Sequence, residues 1–540
     1  MDQLASDAVP DAATLREVYP RFNANYPGLE HPAFRDAARA LEEHISLLEV
    51  SALPDPGERH ARLMEAMAQA LETYDSQPSP EKARAIQDGL TWLRTTDQAH
   101  DLVEQVVARH AFPNLLVDIS ARFVSAGLIL PVDRTQRIYD QILGATVTGQ
   151  GRMTGTLRGT LQDDPRRGSI LLNVSGRIDA NTVARKSPVT VWGKGVTTFT
   201  AFKTLVFEQT GLSGGASRSC TRSNNRVTCV DAPLLIKPLA RMQLKHQRDE
   251  ANHITAQRAR PVINQQLDQD ADSIIASANQ AYVTEFRNPL LRTGAFPRRM
   301  EFRTSESELN VVILQAADGQ LGAPQPPPQL ELRHDVGAQM HETAFNNLAE
   351  SLLSGVTMTD EDVRANVLKY LTMASLEEYA LEKEEQPWEI TFARQSPIAV
   401  SFRENAYTMT IAGDAWKSGR RSFRNLNATV TYQIDSKQNN VRLIRDEEIL
   451  IAPPGFIRGK DRLSPLVISP RRVLQRKLDQ LFPPVIEPDQ LVVPGPWEQA
   501  GPLKVVDMDA KSGWLRVSWV MQTSTVATSS DRSVTSVPRE

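Results

Sequence analysis

Apolar residues recur at intervals of three and four along the first part of the chain, up to about residue 112. The clearest of these stripes consists of Phe34, Ala38, Leu41, Ile45 and Leu48. Such spacing places the apolar side chains on one face of a helix, where they pack against a neighbour. Three further stripes of this kind follow before Pro113. The pattern therefore predicts a small helical bundle over residues 1–112.

After Pro113 the apolar period changes from three and four to two, which is the period of a half-buried strand. Met153, Leu157 and Leu161 fall on one side of such a strand, and arginines and threonines fall on the other. A second alternating region extends from about Trp388 to Ile451. Between the first strands, residues 131–143 are predicted to contain a short helix. Alternation of this kind predicts antiparallel sheets with one polar face.

The segment Met340–Ser354, MHETAFNNLAESLLS, has the clearest short helical stripe among these strands. Ala344, Leu348 and Leu352 recur at helical spacing with Phe345 beside them. The polar residues that we expect on the opposite, solvated surface are His341, Glu342, Asn346 and Glu350. The apolar stripe needs a cover, and the strands that follow predict a helix cradled by a curved antiparallel sheet.

The predicted fold class is α+β, with an N-terminal helical bundle followed by two antiparallel, curved-sheet-plus-helix regions. The bundle spans residues 1–112. The first sheet-plus-helix region spans residues 113–290 and includes a hairpin that carries the cysteines, and the second spans residues 291–521. The Ser/Thr/Val-rich residues 522–540 are predicted to form a disordered tail.

Composition and charge exclude two classes of function. The chain has 540 residues, a formal net charge of -4 and no uniformly basic character, so nucleic-acid binding is not expected. No apolar run approaches the roughly 20 residues of a transmembrane helix, and the N-terminus lacks the basic start and hydrophobic core of a signal peptide. Two interpretations fit these features: a cytoplasmic protein, or a mature chain from which an export signal has been removed.

The two cysteines bear on that choice. Cys220 and Cys229 lie in RSCTRSNNRVTCVD, where Asn224-Asn225 predicts a turn between two short arms. Such a hairpin would bring the thiols together, so we expect a disulfide, with two free thiols as the alternative. A metal site is not expected, because no CxxC pair or Cys/His second half accompanies them. A disulfide favours a periplasmic or otherwise extracytoplasmic protein, and the cytoplasm is the alternative.

Catalytic and cofactor motifs give no positive signal. The zinc protease pattern HExxH and the phosphate-binding pattern GxxxxGK[ST] do not occur. Gly149, Gly151 and Gly155 have the spacing GxGxxxG rather than the dinucleotide fingerprint, and strand alternation continues through them. Glycines in a strand indicate a bend or the close approach of another backbone. We therefore expect no catalytic residues, no metal and no cofactor.

The segment VGAQMHETAFNNLAESLLSG resembles the helix-opening segment of the tubular lipid-binding superfamily, which includes bactericidal permeability-increasing proteins. Asn346-Asn347 between Phe345 and Leu348 carries the likeness. The whole chain also resembles large, uncharacterised exported bacterial proteins with a helical front end. The resemblance implies long helices wrapped by twisted sheets, with an apolar groove for acyl chains. It makes Phe345, Leu348 and Leu352 the candidate ligand-binding residues.

The resulting functional hypothesis is non-catalytic binding of a lipid, or of another elongated apolar small molecule, in the cell envelope. Protein partners are not specified by it. The alternative is a structural or protein-interaction role in the envelope, in which the same apolar stripes close into a solid core.

Overall fold

The computed structural model describes residues 11–522, except residues 23, 329–333, 363–386, 438, 459, 463–464, 489 and 494. The front of the chain is helical, as predicted, with α1 (Ala12–Val18), α2 (Pro32–Ser51), α3 (Pro56–Tyr74), α4 (Pro80–Thr95) and α5 (His100–Arg109). Asp55 and Ser79 cap α3 and α4 by accepting hydrogen bonds from the backbone N–H groups of Glu58 and Lys82. Helices α3, α4 and α5 share a core to which Leu321, from the later part of the chain, also contributes.

The next part of the chain comprises β1 (Leu115–Ser120), α6 (Ala121–Gly127), β2 (Ile129–Ile142), β3 (Ala145–Leu161), β4 (Gly168–Lys186), β5 (Val189–Glu208), β6 (Gly211–Gly214), β7 (Arg218–Asp231), α7 (Lys237–His246), α8 (Arg248–Ala281) and α9 (Asn288–Arg292). A π-helical turn, Tyr282–Arg287, joins α8 to α9.

The last part comprises β8 (Arg299–Thr304), β9 (Glu308–Leu314), β10 (Val336–His341), α10 (Glu342–Leu353), β11 (Thr357–Thr359), α11 (Asp360–Asp362), β12 (Trp388–Phe392), β13 (Ile398–Arg403), β14 (Ala406–Ser418), β15 (Arg421–Lys437), β16 (Asn440–Arg445), β17 (Leu450–Ala452), α12 (Pro465–Leu481), β18 (Val485–Ile486), β19 (Leu503–Lys511) and β20 (Trp514–Met521). Residues 363–386 and the predicted tail from residue 523 lie outside the described residues.

A central antiparallel sheet joins distant parts of the chain. Its strand order is β19, β20, β10, β1, β9, β8. Strand β1 comes from residues 113–290, whereas its neighbours β9 and β10 come from the later part of the chain. The central sheet therefore connects the two sheet-plus-helix regions.

The first sheet has the order β2, β3, β4, β5, and both β6 and β7 pair with β5. Its inward side chains share a core with Ile263 and Leu267 of α8. At the β2 edge, Arg134 forms an ion pair with Asp270 of α8 at 2.9 Å. At the β7 edge, the hydroxyl of Thr221 donates to the backbone oxygen of Ala256 at 2.7 Å. The sheet thus curves around α8 and holds it from both edges.

The prediction of a short helix within residues 131–143 is wrong. These residues lie in β2, which pairs with β3 from Ile129 opposite Arg158 to Ile142 opposite Ala145. Ile138 and Ile142 are four residues apart, and this even spacing puts them on one side of a strand as readily as on one face of a helix. Residues 121–127, for which extended structure was expected, form α6.

The interpretation of the strand glycines as points of close backbone approach is confirmed. Gly155 of β3 lies opposite Gly176 of β4. A Cβ atom on Gly155 would lie 2.5 Å from the backbone oxygen of Ser175. Real Cβ atoms do not approach an oxygen so closely, so only glycine fits at this position. With glycine there, the two backbones come close enough for the strands to bend around α8.

The second sheet has the order β11, β12, β14, β15, β16, β18, with β13 also paired to β14 and β17 to β15. Helices α10 and α12 pack on it: Leu353 and Leu478 share a core with Trp416 and Tyr432. The predicted fold class, α+β with curved antiparallel sheets after a helical front end, is therefore confirmed. Among the described residues, no helix combines the length and the hydrophobicity that crossing a bilayer requires.

Candidate functional site

Helix α10 holds the three residues that the sequence predicts as ligand contacts, but their side chains do not share one environment. Phe345 packs against the core of the second sheet. Leu348 is half-buried, and Leu352 is 37% exposed. Ala349 and Leu353 belong to the buried core. The face directed at the second sheet therefore follows Phe345, Ala349 and Leu353, which are spaced by four residues.

The other side of α10 is also covered, because Asn347 is buried and fully hydrogen-bonded. Its Nδ2 atom donates to the backbone oxygens of Gln315 and Leu321 at 2.8 and 2.9 Å. Its Oδ1 atom accepts from Gln87 of α4 at 3.2 Å. Helix α10 is thus packed between the second sheet on one side and the central part of the molecule on the other.

The expectation that His341 and Glu342 face solvent is wrong, since both side chains are buried. The carboxylate of Glu342 forms an ion pair with Arg403 at 2.8 Å and accepts from the backbone N–H of Phe402 at 3.3 Å. Burial raises the pKa of Glu342 to about 7, against the opposing effect of Arg403. A charged residue can occupy this position because a cation and a backbone donor replace water.

His341 caps α10 instead of acting as a metal ligand. Its Nδ1 atom accepts from the backbone N–H of Thr343 at 3.2 Å, and its ring meets Trp514 edge-on at 5.1 Å. Burial, and secondarily the charge of Arg403, lower the pKa of His341 to about 3. The imidazole is therefore neutral at ordinary pH. Across the described residues, no group of three or more potential ligands is placed to hold a metal ion.

The predicted disulfide is wrong: Cys220 and Cys229 are free and exposed. The segment forms one continuous strand, β7, rather than a hairpin, with Cys220 opposite Thr200 and Cys229 opposite Trp192 of β5. Nine residues of strand separate the thiols by roughly 30 Å, at about 3.3 Å per residue. The polar Asn224-Asn225 pair, read as a turn, instead lies opposite β5 within the ladder. The argument for export that depended on a disulfide is therefore lost.

A serine in the pattern GxSxG, which sequence analysis overlooked, occurs in GLSGG at residues 211–215. Hydrolases with this pattern carry the serine on a sharp turn between a strand and a helix. Here Ser213 lies inside β6, opposite Val206 of β5. The local geometry of a nucleophile elbow is therefore not present at Ser213.

An open recess of about 670 Å³ lies between β13 and the β19–β20 hairpin. Its lining is mainly charged and polar and includes Arg403, Glu404, Asp507 and Lys511. An apolar chain would meet ionised groups here, which disfavours it as a ligand.

A different surface, at the end of the first sheet, combines exposed apolar side chains with a defined helix. Between β7 and α7 the chain passes through a turn in which Leu234 and Leu235 are 90% and 95% exposed. Leu239 and Met242 are 60% and 56% exposed. We call Leu234, Leu235, Leu239 and Met242 the α7 apolar surface. Clustered exposure of large apolar side chains marks an interaction site, whereas isolated exposed leucines do not.

The orientation of α7 explains this exposure. The backbone N–H groups of Ile236 and Lys237 both donate to the backbone oxygen of Pro233, so the helical path begins before Lys237. Leu235, Leu239 and Met242 are spaced by four and three and share one face of that path. Ala240, the buried residue of α7, lies on the opposite side. The helix therefore packs through a small residue and presents its apolar stripe to solvent.

Basic residues surround the α7 apolar surface. Residues 232–248 contain no aspartate or glutamate; their basic residues are Lys237, Arg241, Lys245 and Arg248. Lys186, the last residue of β4, lies at the same end of the sheet and donates to the backbone oxygen of Leu143 at 3.1 Å. The segment 232–248 is therefore locally basic although the whole chain has a net charge of -4.

The sequence analysis did not identify this surface. The signal was present in the run Leu234-Leu235-Ile236 and in the helical spacing to Leu239 and Met242. An apolar stripe is read as a buried face by default, because most such stripes are covered. Only the position of Ala240 against the sheet reveals that this one is turned outward.

No family model matches the sequence, and no curated protein matches it. Among solved structures, lipopolysaccharide binding protein aligns at 13% identity over 76% of this chain and 99% of its own, with a TM-score of 0.27. P47 from Clostridium botulinum A2 aligns at 8% identity over 76% of this chain and 98% of its own, with a TM-score of 0.21. TM-scores this low do not establish a shared fold.

Proposed function

We propose that this protein binds lipid surfaces, without catalysing a reaction, by inserting the α7 apolar surface among lipid chains. The main support is the nearly complete exposure of Leu234 and Leu235 beside the outward stripe of α7. A short helix with one apolar face lies in the plane of a bilayer, with that face buried at the boundary between head groups and acyl chains. Full burial of a leucine side chain stabilises an association by about 1.5–3 kcal/mol.

The proposal assigns lipid contact to α7 rather than to α10. Phe345, Leu348 and Leu352 remain predicted ligand contacts, but they differ in burial, and Phe345 is part of a packed core. A ligand at α10 would have to displace core side chains, whereas α7 offers its apolar atoms without rearrangement. Surface binding through α7 therefore has the smaller energetic cost.

Vesicle co-sedimentation tests the proposal. We expect the wild-type chain to sediment with vesicles of phosphatidylcholine and phosphatidylserine, and Leu234→Ser/Leu235→Ser to lose at least about tenfold in partitioning, because two inserted side chains become polar. The matched control is Leu47→Ser/Leu102→Ser, which changes two leucines of the helical front end that are also exposed. The control should bind as the wild type does.

Three outcomes would overturn the proposal. The first is a wild type that sediments with no vesicle, and the second is equal binding by the two double variants. The third is loss of binding in Leu348→Asp together with intact binding in Leu234→Ser/Leu235→Ser, which would assign lipid contact to α10. Circular dichroism of each variant confirms that a loss of binding does not reflect unfolding.

A further inference from the structure

We infer, on the basis of the lipid-surface binding proposed above, that α7 selects lipids with anionic head groups. The inference depends on the charges around the α7 apolar surface rather than on the apolar residues themselves. Residues 232–248 are free of acidic side chains, and the nearest carboxylates in sequence, Asp231, Asp249 and Glu250, lie just outside that segment. Within residues 232–248, a lipid surface that meets α7 therefore meets basic side chains and no acidic ones.

Two of the basic side chains are positioned to reach head groups when the apolar stripe is inserted. Arg241 and Lys245 are exposed and four residues apart, so they lie together on one flank of α7. Arg241 is next to Met242, whose side chain belongs to the apolar surface. Long basic side chains beside an inserted stripe extend toward the phosphate level while their methylene groups remain near the apolar phase. The flank and the stripe can thus bind the same membrane.

Arg248 has a structural role instead. Its guanidinium donates to the backbone oxygen of Asn225 at 3.1 Å and to the Oδ1 atom of Asn224 at 2.8 Å. These bonds attach the start of α8 to β7 and fix the junction from which α7 projects. Arg241 and Lys245 are therefore the better choice for substitutions that change the charge without disturbing the sheet.

A second copy of the chain is a poorer partner for this surface. A symmetric dimer through α7 would bring two identical, acid-free basic segments together. Like charges in direct opposition disfavour such an interface. An anionic bilayer satisfies both the apolar stripe and the charges, so we commit to it as the occupant.

The test compares binding to vesicles of pure phosphatidylcholine with binding to vesicles that also contain phosphatidylserine. We expect the wild type to prefer the anionic vesicles and Arg241→Gln/Lys245→Gln to lose roughly 25-fold on them, about fivefold for each cation. Partitioning onto pure phosphatidylcholine should change little. High salt should reduce the preference of the wild type, because screening shortens the range of the attraction. The control Arg39→Glu/Arg62→Glu changes two exposed arginines of the front-end helices and should keep the preference.

The outcomes separate this inference from the proposed function. Equal binding of the wild type to both vesicle types would overturn head-group selection and leave lipid-surface binding in place. Failure to bind either vesicle type would overturn both. A lipid-free dimer in sedimentation velocity that Leu234→Ser/Leu235→Ser converts to a monomer would assign α7 to self-association instead.

Discussion

At the scale of single residues, Glu342 is an ionisable group in an unusual environment. It is buried at the start of α10, where Arg403 and the backbone N–H of Phe402 replace water. Burial still raises the pKa of its carboxyl from 4.5 to about 7. The folded protein therefore holds this proton to a higher pH than the unfolded chain does, and the stability that the group contributes below pH 4.5 is lost as pH rises to about 7.

Glu342→Gln should remove this pH dependence. We compare the free energy of unfolding of the variant with that of the wild type at pH 5 and at pH 8. From the lower to the higher pH, the difference should shift in favour of the variant by up to about 3 kcal/mol, since each pKa unit corresponds to about 1.4 kcal/mol. His341, whose pKa is lowered, titrates in the opposite sense, but it is present in both proteins and cancels in the comparison. Urea denaturation at the two pH values measures the difference. A difference that does not vary with pH would contradict the account of Glu342.

The two cysteines give a second test at this scale. Cys220 and Cys229 should both react with a thiol reagent in the native protein without reductant, because each is exposed on β7 and neither is bonded. The expected stoichiometry is two thiols per chain. A native, oxidised protein with no reactive thiol would show that the strand assignment of this segment is wrong.

At the scale of elements, α10 shows what a sequence pattern can determine. The helix was predicted within Met340–Ser354 and occupies Glu342–Leu353. The expectation that its polar residues face solvent was wrong, because the helix is covered on more than one side. Glu342 forms an ion pair with Arg403, which is 61 residues away in sequence. Periodicity gives the position of such a helix, whereas its polar partners depend on contacts between distant residues.

The prediction of a hairpin in the segment that forms β7 was wrong for a related reason. Asn-Asn between two polar arms is a common turn signal, but turn propensity is weak where a neighbouring strand offers a complete ladder of hydrogen bonds. Strand β5 offers that ladder from Thr190 to Phe202. A single sequence does not reveal that such a neighbour exists.

The role of glycine in the curvature of the first sheet can be tested by substitution. Gly155→Ala should destabilise the protein by about 1–3 kcal/mol, because the new Cβ would overlap the backbone oxygen of Ser175. Gly215→Ala is the matched control, since its Cβ would lie 4.0 Å from the nearest atom, the backbone oxygen of Thr204. Thermal unfolding of the two variants provides the comparison. Equal midpoints would show that Gly155 is not needed for the bend.

At the scale of the whole molecule, the sequence predicted the order of architectures: a helical front end and then antiparallel sheets with helices. It did not predict the central sheet, in which β1 pairs with β9 and β10 across about two hundred residues of sequence. That pairing places α10, which directly follows β10, in the packed centre of the molecule. The exposure of α7 depends instead on how α7 meets α8 and β7 at the end of the first sheet, so the candidate surface could be recognised only in the folded chain.

The most direct test of the central claim is the depth of Leu235 in a bilayer. A nitroxide label at Leu235→Cys, in a Cys220→Ser/Cys229→Ser background, should become accessible to oxygen and protected from a water-soluble relaxation agent when anionic vesicles are added. A label at Leu47→Cys in the same background should remain in water. If the label at residue 235 stays in water while the protein is bound to vesicles, the α7 apolar surface is not the membrane contact and the account is contradicted.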